Sequence, residues 1–133
     1  MNDLIEVKII PPPSKKGKGV FAKQRIKEDI IIEMAHVILI PNKEYELIQD
    51  TILWNYFFEW DDPKYDGEYQ AAIALSICQF INHSFKPNLR YEYDYSNIAI
   101  KYITIRDVEK GEELTVNYNG VVGDQSPVWF EVE

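Results

Sequence analysis

The chain has 133 residues and a mass of 15.6 kDa, and with 46% hydrophobic residues it suits one domain around a single core. Its 14 Lys and Arg against 22 Asp and Glu leave a formal charge of -8, which excludes a binder of phosphate backbones built on clustered cations and favours a basic partner. Cys78 is the only cysteine, so an intramolecular disulfide and a cysteine-built zinc site are excluded, and a reducing, intracellular setting is expected.

The N-terminal MNDLIEVKII carries acids and lacks the basic segment and apolar stretch of an export signal, and LIEVKII within it reads as a strand. PPPSKKGKG (11–19) is a loop that leads through Gly17 and Gly19 into the strand candidate GVFA, and DIIIEMAHVILI (29–40) is a β-branched strand candidate. From Asn42 to Ile48 one or two helical turns are expected, with Asn42 as cap. LWNYFFEW (53–60) is aromatic enough to read as a strand, and DDPKYDGEY (61–69) as a loop. The longest mostly apolar run, AAIALSICQFI, is broken by Ser76 and Gln79 and is too short to span a membrane; a short helix is expected before Asn82.

FINHSFKPN (80–88) holds one of only two histidines. Locally it allows a buried, hydrogen-bonded histidine, a Pro/Asn turn, or an Asn-His-Ser glycosylation acceptor, the last without force in an unexported protein. LRYEYDY alternates, with Leu89, Tyr91, Tyr93 and Tyr95 on one face and Arg90, Glu92 and Asp94 on the other. NIAIKYITI and ELTVNY complete the strand candidates, and NGVVGDQSP (119–127) is a loop. No internal repeat is present. A mostly β domain of many short strands is expected.

Three distant segments stand in order: KKGKGVFAKQRIKEDIIIE (15–33), QFINHSFKPN (79–88) and IRDVEKGEELTVNYNG (105–120). Together they resemble the SET-domain protein lysine methyltransferases. In that family a Gly-x-Gly followed by Val-Phe-Ala, an Asn-His-Ser with a later Pro-Asn, and a Gly-Glu-Glu-Leu-Thr strand ending in tyrosine occur in the same order. The resemblance covers roughly residues 5–120 and implies a β-clip type SET fold of several small β-sheets with short helices. It implies a C-terminal, pseudoknot-like threading in which Glu113 to Tyr118 pass beneath the loop of Asn82 and His83. Residues 1–133 are then a single SET domain whose segment 121–133 closes the cofactor site.

The implied reaction moves a methyl group from S-adenosyl-L-methionine to the ε-amine of a lysine in a histone or another basic protein, a task of positioning two substrates. The resemblance places the methionine end of the cofactor at Gly17, Lys18 and Gly19, where a plain hairpin turn is the alternative. It makes Asn82 and His83 cofactor-facing, against the alternative of a satisfied core histidine, and lays Phe80 against the cofactor. Many members carry arginine where this chain has Gln79. Tyr118 matches the active-site tyrosine, Tyr56 a second tyrosine beside the lysine channel, and Trp129 is the candidate to stack on adenine, or else pins the C-terminus to the core. Glu59, Asp61, Asp62, Asp66 and Glu68 attract a basic peptide or form a solvated loop. An aromatic-cage module that binds lysine without transfer, and a SET fold kept for interaction, are the other readings. No direct nucleic-acid or membrane contact is expected, and a homodimer that completes a substrate groove is left open.

Overall fold

The computed structural model describes residues 2–133. In chain order the strands are β1 (Ile5–Ile9), β2 (Lys18–Ala22), β3 (Ile31–Pro41), β4 (Phe58–Glu59), β5 (Tyr69–Ala74), β6 (Asn82–His83), β7 (Leu89–Asp94), β8 (Ala99–Thr104) and β9 (Glu113–Val116), with one α-helix, α1 (Asn42–Ile48). They form a four-stranded sheet of order β1-β2-β9-β6 and a five-stranded sheet of order β4-β5-β3-β8-β7. This is the mostly β architecture of small sheets that the strand candidates implied.

Alternating side chains decide how the sheets pack. In β7 the aromatic face expected from LRYEYDY points inward: Tyr91 meets Phe58, Tyr93 and Tyr95 meet Trp60, all edge-on at 5.0–5.6 Å between ring centroids. β8 lies between β3 and β7 and is buried along its whole length except at the half-buried Lys101. Val20 and Leu114 from the smaller sheet join Ala35, Ala72, Leu89 and Ile100 from the larger one in a single core. Each fully buried Val, Leu or Ile side chain there contributes roughly 1.5–3 kcal/mol.

Three local expectations are corrected. The helix covers Asn42–Ile48, but Pro41 occupies the N-cap and the Asn42 amide donates to the Gly67 carbonyl instead of capping. LWNYFFEW is mainly a 3-10 turn over Ile52–Asn55, with only Phe58–Glu59 extended. There Trp54 and Phe57 pack on each other at 4.6 Å and both against Tyr45, so the aromatics fold the segment onto α1. Tyr69–Ala74 is a strand that went unassigned in sequence, because Ala71, Ala72 and Ala74 have weak strand preference; here they fill narrow buried space. The short helix before Asn82 is present as a 3-10 turn, Ile77–Phe80, capped by the Ser76 hydroxyl, which accepts from the Cys78 N–H. No helix of the described residues is long and apolar enough to cross a membrane.

Candidate active site

The two glycines of GKG do different work. Gly17 has φ +76°, a left-handed conformation that favours glycine, and an added Cβ meets nothing within 4 Å. At Gly19 an added Cβ lies 2.9 Å from Glu113 Oε2 and 3.2 Å from Asn82 Nδ2. The missing side chain lets β2 close on β9 and on the Asn82 loop. Asn82 Nδ2 then donates to the Lys18 carbonyl and to Glu113 Oε2, both at 2.8 Å.

β6 and β9, 30 residues apart in sequence, run parallel with Asn82 opposite Thr115 and His83 opposite Val116. Ser84 N–H extends this pairing to the Val116 carbonyl at 2.9 Å. Asn88, 1% exposed, secures the entry of β9: its amide donates to the Glu113 carbonyl at 2.8 Å and its oxygen accepts from Thr115 N–H at 2.9 Å. The two segments thus lie side by side as the threading requires.

His83 is buried, and its Nδ1 accepts from the Tyr118 main-chain N–H at 2.9 Å, which puts the imidazole proton on Nε2. That Nε2 is buried without a partner. Burial holds the imidazole below its usual pKa, in the neutral form that can accept. The Tyr118 hydroxyl donates to the Ile81 carbonyl at 2.6 Å, and burial, then neighbouring Tyr56 and Glu113, push it up to about 12. It is a neutral phenol whose proton is committed.

Beyond Tyr118 the chain doubles back. Asn117 donates to the Asp124 carbonyl at 2.6 Å and Asn119 to the Ser126 carbonyl at 2.8 Å. Trp129 lands stacked on the Tyr118 ring, with centroids 5.6 Å apart and planes at 16°, and Phe130 stands edge-on to both Tyr118 and His83. The Glu133 carboxylate accepts from Ser14 Oγ at 2.6 Å and Lys15 N–H at 2.9 Å, so the final residues bridge to the glycine loop.

Two clefts result. The first, about 800 Å³, is walled by the Lys15–Lys18 loop, Phe80, Asn82, His83 and the Trp129–Glu133 segment. The second, about 770 Å³, runs among Trp54–Glu59, Tyr91, Tyr93, Tyr102 and Val116. Asn55, Tyr56, Gln79, Tyr118 and Trp129 line both, so the clefts adjoin at the two tyrosines.

Eight of the nine residues singled out from sequence, Gly17, Lys18, Tyr56, Phe80, Asn82, His83, Tyr118 and Trp129, line the first cleft. Gly19 lies behind its wall, where it admits Asn82. Trp129 has one indole face on Tyr118 and is 62% exposed, so only its other face is open to a ligand. Gln79 turns out to be a positioning residue: its Nε2 donates to the Tyr56 carbonyl at 2.6 Å and its Oε1 accepts from Ala74 N–H. Of the five acids, Glu59 lines the second cleft, while Asp62 is buried and engaged with Lys64 N–H and Nζ. Sequence reasoning missed the roles of Glu113, Asn88 and Glu133. The first two sit inside quoted motifs and were legible there; nothing around Glu133 signals its contact with Ser14.

The SET domain family model matches residues 17–119. A histone-lysine N-methyltransferase of Schizosaccharomyces pombe, specific for H3 lysine-37, is 34% identical over 120 residues, spanning 90% of this chain and 74% of that protein. Histone-lysine N-methyltransferase SETD7 of Halocynthia roretzi is 29% identical over 90% of this chain, which spans 35% of that protein. For SUV39H1 of Xenopus laevis the identity is 30% over 78% of this chain and 27% of that protein. The chain therefore spans about a third or less of these last two relatives. A crystal structure of a candidate histone methyltransferase from Plasmodium falciparum matches with TM-score 0.67 at 24% identity, covering 89% of this chain and 95% of that one, a likeness of fold.

Proposed function

This chain belongs to the SET-domain family, and we propose that it is an S-adenosyl-L-methionine-dependent methyltransferase acting on the ε-amine of lysine in a basic protein. The observation that carries the reading is the junction of two clefts at Tyr118 and Tyr56, because methyl transfer needs two substrates held end to end. The first cleft fits the cofactor class. Its volume lies in the range of ligand sites, about 300–1,000 Å³, and its wall combines open aromatic faces at Phe80 and Trp129 with the unpartnered, buried Nε2–H of His83. Those features suit a ligand that joins a flat heterocycle to a charged amino acid end.

When bound, the cofactor supplies a methyl group on a sulfonium. The chain's own residues prepare the acceptor. Tyr91, Tyr93 and Tyr102 wall the second cleft with rings whose hydroxyls burial holds un-ionised, a poorly hydrated channel that favours a neutral amine. Tyr118, with its proton on Ile81, has oxygen lone pairs left to accept from an incoming N–H and so to orient the amine. Gln79 holds the Tyr56 backbone in place at the same junction.

In this reading residues 5–120 are the SET core and 121–133 close the cofactor cleft, supported by the Asn117, Asn119 and Glu133 contacts. The acidic charge of -8 suits a basic protein inside the cell, and the names of the relatives make histone H3 the first substrate to try. The test combines thermal melts with S-adenosylhomocysteine and transfer of labelled methyl to a panel of basic proteins. A raised Tm and label on lysine are expected. Ligand binding without transfer to any lysine would reduce the protein to a binding module.

A further inference from the structure

We propose that Glu59 selects among lysines by their neighbours: its carboxylate takes up an arginine or lysine that flanks the target residue in the same peptide. The inference rests on the methyltransferase reading above and names the substrate class that the second cleft prefers. Among the described residues Glu59 is the only charged side chain that lines this cleft, whose wall is otherwise aromatic, aliphatic or neutral and polar. It is exposed and has no hydrogen bond or ion pair among the described residues. The neighbouring acids differ: Asp62 is buried and paired with Lys64, and Asp61, Asp66 and Glu68 lie outside the cleft wall.

The pairing of β4 with β5, Phe58 opposite Ala72 and Glu59 opposite Ala71, fixes where that charge stands. Burial is the main cause that raises the hydroxyls of Tyr91 and Tyr93, and the Glu59 charge adds to it in both. For Tyr118 the groups that add to burial are Tyr56 and Glu113 instead, and for Tyr102 they are Cys78 and the other tyrosines. Glu59 therefore stands on the Tyr91–Tyr93 side of the cleft, away from the reacting centre, and what it meets is not the amine that is methylated. The buried part of the wall has a polar group of its own, because the hydroxyl of Tyr102, a residue 1% exposed, has no hydrogen-bond partner. An unpartnered O–H in depth and an unpartnered carboxylate toward solvent suit a peptide that brings an amine inward and leaves a second cation outside. A neutral side chain laid against Glu59 strips water from the carboxylate with nothing in return, and an acidic one is repelled. Because the carboxylate is exposed, the pair is worth about fivefold in affinity and weakens with salt.

Methyl transfer by the full chain to a set of synthetic peptides tests it. Each peptide carries one acceptor lysine and one arginine, the arginine moved position by position along a neutral sequence, and each has a counterpart with citrulline, the uncharged isostere. The wild-type chain should prefer arginine over citrulline by about fivefold in kcat/KM where the arginine adjoins the lysine, through KM rather than kcat, and less so at high salt. Glu59→Gln should bring the two peptides within about twofold of each other, and Glu59→Lys should favour a peptide with glutamate in the arginine position. Thermal melts confirm that both variants fold. A preference that survives in Glu59→Gln, or a loss in Glu59→Gln that is equal for arginine and citrulline peptides, overturns the assignment. Transfer by the wild-type chain without any preference overturns it too and leaves the methyltransferase reading standing. Absence of transfer to every peptide and every basic protein overturns the methyltransferase reading, and the assignment with it.

Discussion

The main-chain N–H of Tyr118 is hydrogen-bonded to Nδ1 of His83 at 2.9 Å, across 35 residues of sequence. This bond needs a neutral imidazole, and burial lowers the His83 pKa below its usual value. The unfolded chain therefore takes up a proton at His83 before the folded protein does. Stability contributed by the neutral ring is complete above about pH 6.5 and is lost as pH falls below it. Thermal melts from about pH 8 to about pH 5 should show that loss, and His83→Asn, which keeps an acceptor and removes the titration, should flatten it. An unchanged slope in the variant would assign the acid sensitivity to other groups.

The glycines of GKG should separate binding from stability. Gly19→Ala brings a Cβ to 2.9 Å from Glu113 Oε2 and Ile10 Cδ1 and 3.2 Å from Asn82 Nδ2, the flexible ends of three side chains, so the protein should fold while Asn82 shifts and cofactor affinity drops. Gly17→Ala meets no atom but strains a positive φ, costing about 1 kcal/mol of stability. Calorimetry and denaturant titration of both variants check the contrast; equal effects in both assays would erase it.

The asparagines of NHSFKPN divide in the same way. Asn88→Ala leaves the Thr115 N–H and the Glu113 carbonyl without their partner in a buried place, and should cost about 2–4 kcal/mol of stability. Asn82→Ala, at the half-buried cleft wall, should cost less stability and weaken S-adenosylmethionine binding instead. Urea midpoints beside binding isotherms distinguish the two.

Much of this site was legible because its parts are local motifs whose meaning depends on order. Gly19, Asn82 and Glu113 lie in three separate quoted segments, and one hydrogen-bond cluster joins them. The aromatic face of β7 was legible for a different reason, the period of two that a half-buried strand imposes. What escaped was decided by tertiary packing. Trp54 and Phe57 have strand preferences, yet Tyr45 on α1 draws them into a turn. Ala71 and Ala72 carry no strand signal, yet they are fully buried in a strand paired between β3 and β4. The Glu133 contact with Ser14 joins two exposed polar residues 119 apart, and no periodicity encodes that.

Tyr118→Phe separates folding from turnover. The variant keeps the ring that stacks on Trp129 and loses the hydroxyl that donates to Ile81, one hydrogen bond worth about 1 kcal/mol, so it should fold with a slightly lower Tm. Turnover should fall about a hundredfold or more, the scale of a lost preorganised group at a reacting centre, while cofactor affinity holds. The hydroxyl does not act as a phenolate, since its pKa is pushed up to about 12, so the wild-type rate should climb with pH as the substrate amine loses its proton and show no separate step from this residue near neutrality. Val116, two residues earlier, is buried and lines the second cleft, opposite His83 in the parallel pair. Val116→Tyr puts a ring into that cleft, costs about 1–3 kcal/mol for overpacking, and should shift products toward monomethyl-lysine by narrowing the space beside Tyr118. Mass spectrometry of a methylated peptide reads the product distribution, and melts of both variants confirm folding. Full activity in a folded Tyr118→Phe protein would remove Tyr118 from the active site, and an unchanged methyl distribution in Val116→Tyr would move the limit on methyl number to another wall of the channel.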